Sequence, residues 1–171
     1  MSFVNQRANS KIKTPADFIA LARELKKEGQ VLVQCDGVFD LVHPGHIDYF
    51  WRAKSKGDIL YVVLVGDHYV RKGPNRPIFD QNLRSMWIAA LEMVDFVIIN
   101  DDYGPRQIIE AVQPHFLVKG AEYQTHPTSG FVLDKNLVES YGGKVEFVLE
   151  LAHSTDIIQK ICRTFPSSEQ P

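Results

Sequence analysis

Residues 35–46 read Cys35-Asp36-Gly37-Val38-Phe39-Asp40-Leu41-Val42-His43-Pro44-Gly45-His46. This segment leads from the end of an apolar, strand-like run into a helix-like segment. Gly37 and Gly45 allow the backbone to pass close to a ligand. Pro44 is typical of the first turn of a helix. His43 and His46 are three residues apart, so both side chains can face one point near the N-terminus of that helix. The segment is therefore a candidate ligand-binding turn.

The two histidines suggest phosphate chemistry. Unpaired N–H groups and the dipole at a helix N-terminus favour a phosphate. Imidazole donors beside them would stabilise negative charge on a phosphoryl oxygen. The alternatives are a pair of surface or capping histidines, or a metal site, but a metal site would need a third ligand and none lies nearby in the sequence. The position between a strand and a helix, with Gly45 between the histidines, favours the phosphate interpretation.

Strand-like and helix-like segments alternate on either side of this turn. A helix is predicted to begin at Thr14-Pro15 and to end at Gly29. Five strands are predicted, at residues 31–35, 59–65, 96–99, 116–118 and 145–149, with helices between them. Short connections and right-handed crossovers give a Rossmann-like, doubly wound α/β fold, in which a five-stranded parallel sheet forms the middle of three layers. Such folds bind ligands at the carboxyl ends of the strands.

The length of the chain predicts one domain. At 171 residues the chain can bury a substantial core. Residues 1–10 and 166–171 are expected to be a loose arm and a loose tail. Residues 11–165 are then the single domain.

Other polar residues follow the predicted strands, where a ligand would lie. Asp67 follows the strand at 59–65, and a basic, Gly/Pro-rich loop with Arg71, Lys72 and Arg76 comes next. Lys119-Gly120 closes a later strand and could neutralise a phosphate. The alternatives are a plain loop aspartate, a solvated charge run and a surface lysine.

Composition limits the function classes. The apolar fraction of 44% is that of a globular protein. A net charge of -2 gives no general attraction for nucleic acid or an anionic membrane. Cys35 and Cys162 fall in a strand and a helix, which is typical of a reducing compartment. The longest apolar run, residues 59–65, is too short to cross a bilayer, and the first 13 residues lack the apolar segment of a signal peptide. We therefore expect a cytoplasmic protein that binds neither nucleic acid nor membranes.

The histidine turn also carries a family signature. Gly37-Val38-Phe39-Asp40 followed by His43-Pro44-Gly45-His46 is similar to the G-x-F-D-x-x-H-x-G-H motif of the cytidylyltransferase-like nucleotidyltransferases. Within that superfamily the chain most resembles the adenylyltransferase domain of bacterial ADP-heptose synthases, from about Lys11 to Arg163. The stretches that carry this resemblance are Lys72-Gly73, Arg76-Pro77, Leu117-Val118-Lys119-Gly120-Ala121-Glu122-Tyr123 and Tyr141-Gly142-Gly143-Lys144-Val145.

Two positions depart from the heptose group. Asp36 replaces the asparagine usual in the heptose enzymes, and Asp156-Ile157-Ile158 is similar to the choline-phosphate cytidylyltransferases.

The family resemblance implies transfer of a nucleoside monophosphate to a phosphorylated small molecule, with release of pyrophosphate. AMP from ATP with a heptose 1-phosphate is the first expectation. CTP with glycerol-, choline- or ethanolamine-phosphate is the alternative.

The residues and the resemblance together imply a set of site residues. The expected catalytic residues are His43, His46, Lys72 and Lys119. Nucleotide contacts are expected from Asp36, Gly37, Val38, Phe39, Gly45, His46, Asp67, Arg76, Lys119, Gly120, Ser154 and Thr155. Ser154 and Thr155 could equally be simple helix caps. Arg84 matches an arginine of the family pattern, with a surface ion pair as the alternative. Mg²⁺ is expected to bridge the substrate phosphates without a defined protein ligand set, and related enzymes suggest a homodimer.

The sequence disfavours three other functions. A nucleotide-binding regulator without turnover is disfavoured because both histidines are intact. A class I aminoacyl-tRNA synthetase shares the histidine signature, but the chain is too short for a tRNA-binding body and lacks a K-M-S-K-S loop. A nicotinamide dehydrogenase would need G-x-G-x-x-G after the first strand, and residues 37–42 do not match that motif.

Overall fold

The computed structural model describes residues 3–149 and 154–164, and at 3–5 and 154–156 it describes the backbone only. Six strands form one sheet: β1 (Ile12–Lys13), β2 (Leu32–Gly37), β3 (Ile59–Val65), β4 (Phe96–Asn100), β5 (Phe116–Gly120) and β6 (Lys144–Val148). The helices are α1 (Phe3–Lys11), α2 (Pro15–Lys27), α3 (Pro44–Lys54), α4 (Gln81–Ala89), α5 (Arg106–Val112), α6 (Glu122–Thr125), α7 (Ser129–Ser140) and α8 (Ser154–Thr164). A short 3₁₀ helix spans Asp67–Tyr69.

All strand pairs are parallel, and the spatial order is β1-β4-β3-β2-β5-β6. The chain moves outward from β2 through β3 to β4 and then returns to the other side of β2 at β5. The direction of winding therefore reverses between β2 and β5. In an open α/β sheet the crevice at such a reversal is the usual ligand site.

The sheet is covered on both faces, as expected for a parallel sheet. Along β3 the side chains alternate, so that Leu60, Val62 and Leu64 face α3 and α4 while Tyr61 and Val63 face α2 and α5. A smaller cluster joins α5, α7 and β5 around Ile109, Leu117 and Val138. The prediction of a three-layer, doubly wound α/β fold is confirmed.

Helix starts follow from local capping chemistry. The Thr14 hydroxyl accepts a hydrogen bond from Asp17 N at 3.1 Å, and Pro15 occupies the first helical position. The Asp80 carboxylate accepts from Asn82 N and Leu83 N at 2.9 Å each. Side-chain acceptors of this kind satisfy backbone N–H groups that have no partner in the first turn. The helix start expected at Thr14-Pro15 is thus correct.

The predicted number of five strands is wrong, because a sixth strand, β1, pairs with β4. Ile12 and Lys13 lie opposite Val97 and Ile98. Two residues are too few for the alternating pattern that reveals a strand in a sequence. The strand is recognised only by its pairing with β4, and the periodicity of apolar residues carries no information about which strands pair.

The prediction of a loose arm at residues 1–10 is also wrong for residues 3–10, which belong to α1. Ala8 is buried in the core, and the Lys11 ammonium donates to the backbone oxygens of Leu91 and Val94 at 2.9 and 2.7 Å. Tertiary contacts, rather than helix propensity, stabilise a helix this short. The tail expected at 166–171 lies outside the described residues. Within residues 3–149 and 154–164, no helix has the length and apolarity needed to cross a lipid bilayer.

His115, just before β5, bonds to the start of β2 at the amino ends of these central strands, and this contact predicts a pH effect on stability. His115 Nδ1 accepts a hydrogen bond from Leu32 N at 2.9 Å, which requires the unprotonated ring nitrogen. Burial, with a smaller contribution from Lys26, lowers the pKa of His115. The stabilisation is therefore complete above the ordinary histidine pKa of about 6.5 and is lost as the pH falls through the lowered folded value.

We expect His115→Asn to reduce the loss of stability between pH 7.5 and pH 5.5, because an amide oxygen near the position of Nδ1 accepts from Leu32 N without titrating. Guanidinium chloride denaturation at the two pH values measures this loss. His126→Asn, at an exposed position, is the matched control and should lose as much stability as the wild type. Equal losses in all three proteins would contradict the prediction.

Candidate active site

A cavity of about 480 Å³ opens at the carboxyl ends of β2 and β5, where the winding reverses. Eight of the expected site residues line it: Asp36, Gly37, Val38, Phe39, His46, Lys72, Lys119 and Gly120. Its other lining residues are Tyr49, Val65, Tyr69, Tyr103, Gly104, Pro105, Glu122, Tyr123, Thr128, Gly130, Phe131 and Asp134. The turn after β2 and the end of β5 therefore form one site.

The two histidines lie at the N-terminus of α3. Their rings stack with centroids 3.8 Å apart and planes 24° from parallel, and both residues are buried. His43 is the N-cap, and its Nδ1 accepts from Gly45 N at 3.1 Å. A neutral His43 ring must then carry its proton on Nε2. The capping alternative and the phosphate interpretation are compatible, because the N-cap fixes the orientation of an imidazole beside the helix N-terminus.

Phe39, in the turn between β2 and α3, positions the His46 ring. Phe39 has a positive φ of 46°, which turns the chain sharply between β2 and α3. Its ring meets the His46 ring edge-on at 5.3 Å between centroids and packs on Phe50 at 5.0 Å. A Cβ at Gly37 would come within 3.1 Å of the Phe39 ring. These contacts hold His46 at the cavity wall.

Asp40 organises the basic loop that follows β3. Its carboxylate accepts from Ile78 N at 2.7 Å and Phe79 N at 3.2 Å, and it forms an ion pair with the Arg76 guanidinium. The Asp40 side chain is fully buried. Arg76 does not line the cavity, so the contact with nucleotide that was expected of it stays a prediction. Its observed role is to join the loop to the histidine turn.

Arg84 is a second buried connector. Its guanidinium donates to the backbone oxygens of Val38, Val65 and Phe79 and pairs with the Asp67 carboxylate at 2.6 Å. The side chain has no exposed surface, so the expected alternative of a surface ion pair is wrong. Asp67 is engaged here and lies outside the cavity lining, as do His43 and Gly45. Any direct role of Asp67 in nucleotide binding stays a prediction.

Asp36 and Lys119 form a buried ion pair across the crevice. Lys119 Nζ donates to Asp36 Oδ2 at 2.8 Å, and each side chain is 9% exposed. The ammonium also lies 4.4 Å from the centre of the Tyr123 ring. Burial is the largest single influence and lowers the pKa of Lys119, but the charge and hydrogen bond of Asp36, with contributions from Tyr123 and Asp134, together outweigh it and raise the pKa. The lysine is therefore a cation whose charge is compensated within the protein.

Two further expectations concern the end of the chain and metal binding. α8 begins at Ser154, but the side chains of Ser154 and Thr155 lie outside the described residues. Within the described part of the chain, no three His, Cys, Asp or Glu side chains cluster in a way that could hold a metal ion. The Asp40 and Asp67 carboxylates are occupied by arginines and backbone N–H groups.

Comparison with known proteins identifies the family. The family model described as cytidylyltransferase-like matches residues 34–163, which include the histidine turn, all of β3 to β6 and most of α8. The chain belongs to the cytidylyltransferase-like family. The resemblance stated from the signature is thus confirmed, and with it the assignment to a family of nucleotidyltransferases.

Relatives within the family include two bifunctional proteins named HldE. The protein from Geobacter metallireducens is 39% identical over 169 residues, and the protein from Geotalea uraniireducens is 42% identical over 158 residues. These matches cover 96% and 90% of this chain but 34% and 31% of the relatives. The chain thus spans about a third of the length of these relatives.

Two solved structures have a similar fold. The lipopolysaccharide core biosynthesis protein from Thermoplasma volcanium is 29% identical, with a TM-score of 0.58 over 73% of this chain and 99% of that one. A pantoate-beta-alanine ligase from Francisella tularensis, 20% identical, has a TM-score of 0.58 over 93% of this chain and 81% of that one, and shares the fold.

Sequence reasoning missed part of the cavity wall. Tyr103, Gly104 and Pro105 follow β4, so the rule that ligands lie after the strands could have found them. Glu122 and Tyr123 belong to the stretch that carries the family resemblance, but the resemblance did not assign them to the site. Phe131 and Asp134 come from α7 and carry no sequence signal, because their position depends on how that helix packs.

Proposed function

We propose that the chain transfers a nucleoside monophosphate from a nucleoside triphosphate to a phosphorylated small metabolite and releases pyrophosphate. The observation that carries this proposal is the stacked pair His43 and His46 at the N-terminus of α3, beside a cavity of about 480 Å³, a volume typical of ligand sites. A helix N-terminus with adjacent imidazole donors suits a phosphoryl group. The family assignment supports the same chemistry.

In the proposed reaction an oxygen of the acceptor's phosphate attacks the α-phosphorus of the triphosphate. A new phosphorus–oxygen bond forms, the bond from the α-phosphorus to the bridging oxygen breaks, and pyrophosphate leaves with the electron pair. A phosphate monoester is already ionised near neutral pH, so no strong general base is needed. Catalysis then depends on positioning and charge stabilisation, for which His46 at the cavity wall and His43 behind it are suitably placed.

Mg²⁺ enters this proposal as part of the substrate, in its complex with the triphosphate. The carboxylates nearest the histidine turn do not form a cage for it, since Asp40 and Asp67 are engaged elsewhere and Asp36 is paired with Lys119. Mg²⁺ commonly binds through substrate phosphates and water with few protein ligands. When bound, it would neutralise phosphate charge.

We propose ATP as the nucleotide and a sugar phosphate, specifically a heptose 1-phosphate, as the acceptor. The support is the resemblance to heptose adenylyltransferase domains over nearly the whole chain, together with relatives named HldE that match 90% or more of it. CTP with an alcohol phosphate is the second candidate, supported by Asp36 and by residues 156–158. A cytoplasmic homodimer is also proposed, from the composition and from related enzymes.

A substrate panel tests the proposal. ATP, CTP, GTP and UTP are each combined with heptose 1-phosphate, glycerol 3-phosphate, choline phosphate and ethanolamine phosphate, and pyrophosphate release is measured. We expect the highest kcat/KM with ATP and heptose 1-phosphate. A higher value with CTP would overturn the adenylyl assignment and leave nucleotidyl transfer standing. Absence of pyrophosphate release from every pair would overturn the proposed function.

Lys72 provides a prediction about the triphosphate. It lines the cavity from the exposed loop after β3, and a charge-assisted contact with phosphate is worth about 1.5–3 kcal/mol. We expect Lys72→Ala to raise the KM for the triphosphate about tenfold or more, with a smaller effect on the KM for the acceptor. Lys27→Ala, on the exposed face of α2 where Lys27 pairs with Glu24, should change neither constant. An unchanged nucleotide KM in Lys72→Ala would show that Lys72 does not hold the triphosphate.

A further inference from the structure

Asp36 has one engaged and one unengaged carboxylate oxygen. Oδ2 accepts from Lys119 at 2.8 Å, whereas Oδ1 is buried and has no hydrogen-bond partner among the described residues. The side chain is only 9% exposed and lines the cavity. A buried acceptor without a donor costs free energy. Oδ1 is therefore a position where a donor on a ligand would be stabilising.

The surroundings of Lys119 limit what that ligand can be. The ammonium compensates the charge of Asp36, lies 4.4 Å from the Tyr123 ring centre and is 5.8 Å from that of Phe131. A cationic headgroup is usually bound by an uncompensated carboxylate or by aromatic faces. Here Lys119 already engages both. A quaternary or primary ammonium on the acceptor would instead meet a like charge.

The remaining polar groups at this end of the cavity disfavour a phosphate. Glu122 and Asp134 line the same wall, and Asp134 pairs with Arg106 at 2.9 Å. Together with Asp36 they supply carboxylate oxygens, with Lys119 as the cation among them. The phosphate of an acceptor is better accommodated toward α3 and Lys72. The wall at β5 suits groups that donate hydrogen bonds without carrying charge, which is the property of sugar hydroxyls.

We propose that Asp36, held by Lys119, selects the acceptor by accepting a hydrogen bond from an uncharged hydroxyl of its non-phosphate part. This proposal rests on the proposed function and specifies the acceptor class as polyol phosphates. It also assigns to Asp36 a specificity role toward the acceptor, where the sequence suggested a contact with the nucleotide. The Asp36–Lys119 pair then discriminates against choline and ethanolamine phosphates.

Replacing Lys119 by an uncharged residue tests the role proposed for the Asp36–Lys119 pair in acceptor selection. In Lys119→Met the carboxylate of Asp36 and the Tyr123 ring are no longer engaged by an ammonium. We expect the ratio of kcat/KM for heptose 1-phosphate to that for choline phosphate to fall by on the order of tenfold or more. In the double variant Asp36→Ala/Lys119→Met the kcat/KM for choline phosphate should rise less than in Lys119→Met, because the carboxylate that would meet the quaternary ammonium is gone. Lys56→Met, which removes a surface lysine paired with Glu146, is the matched control and should leave the ratio unchanged.

A second variant keeps the test decisive if Lys119→Met does not fold. We expect Asp36→Ala to raise the KM for heptose 1-phosphate about tenfold, with little change in the KM for the triphosphate. A rise in the nucleotide KM alone, or equal rises for heptose 1-phosphate and choline phosphate, would overturn the proposal. Calorimetric titration of each acceptor into the protein with a non-hydrolysable triphosphate measures the same selectivity without turnover. A failure of the proposed reaction is thereby distinguished from a failure of the role assigned to Asp36.

Discussion

His46→Ala is expected to lower kcat by about a hundredfold to a thousandfold, the range found when one donor that stabilises transition-state charge is removed. His46 lies at the wall of the cavity, at the N-terminus of α3, with its ring stacked on His43. Because the charge shifts onto the phosphoryl oxygens only as the reaction proceeds, the affinity for the triphosphate should change little. Pyrophosphate release at saturating substrates measures kcat, and calorimetry measures the affinity.

Two controls make this result specific. His68→Ala removes an exposed histidine of the 3₁₀ helix that does not line the cavity, and it should turn over like the wild type. Because His46 packs against Phe39, the fold of His46→Ala has to be checked separately. We expect its circular dichroism spectrum to match that of the wild type. A folded His46→Ala protein with turnover within a few-fold of the wild type would rule out the proposed role.

Arg84→Ala is expected to destabilise the protein by about 3–4 kcal/mol, a large effect for one substitution. The Arg84 side chain is fully buried, and its guanidinium supplies donors to three backbone oxygens and the Asp67 carboxylate. Truncation removes these donors and opens a cavity. Asp67 is partly exposed, so most of the loss comes from the backbone oxygens.

Guanidinium chloride denaturation measures this loss. Arg84→Lys tests the geometry of the guanidinium, because one ammonium cannot reach all four acceptors, and it should lose most of the same stability. Arg23→Ala, at an exposed position on α2, should change the free energy of unfolding by less than about 0.5 kcal/mol. A loss below 1 kcal/mol in Arg84→Ala would mean that Arg84 does not connect the loops in this way.

The parts of the fold that were predicted from the sequence are those with a local physical signal. The β-branched run at 59–65 became β3 with the same limits, because a strand buried on both faces must be apolar throughout. Thr14 and Asp80 cap their helices as their side-chain chemistry requires. β1 and α1 were missed because packing against other elements stabilises them, as shown by the pairing of β1 with β4 and the burial of Ala8.

The site divides in the same way. The histidine turn is contiguous, so its motif identified it. The Asp36–Lys119 pair joins residues 83 positions apart, and it exists because β5 returns to the side of β2. The strand order that brings them together is a property of the whole sheet, which no local pattern specifies. For the same reason the sequence left a surface ion pair open as an alternative for Arg84, whose side chain is in fact buried.

The Tyr49 hydroxyl donates to Val118 O at 2.6 Å and so joins the histidine helix α3 to β5, the strand that carries Lys119. The wall at α3 and the wall at β5 are consequently connected, and the spacing of the neighbouring strands β2 and β5 sets the distance between them. Residues 71–75 are all exposed, and Lys72 among them lines the cavity. In the proposed reaction this fixed spacing would select acceptors by molecular length, since an acceptor whose phosphate and far hydroxyl groups are separated by the wrong distance could not contact both walls at once.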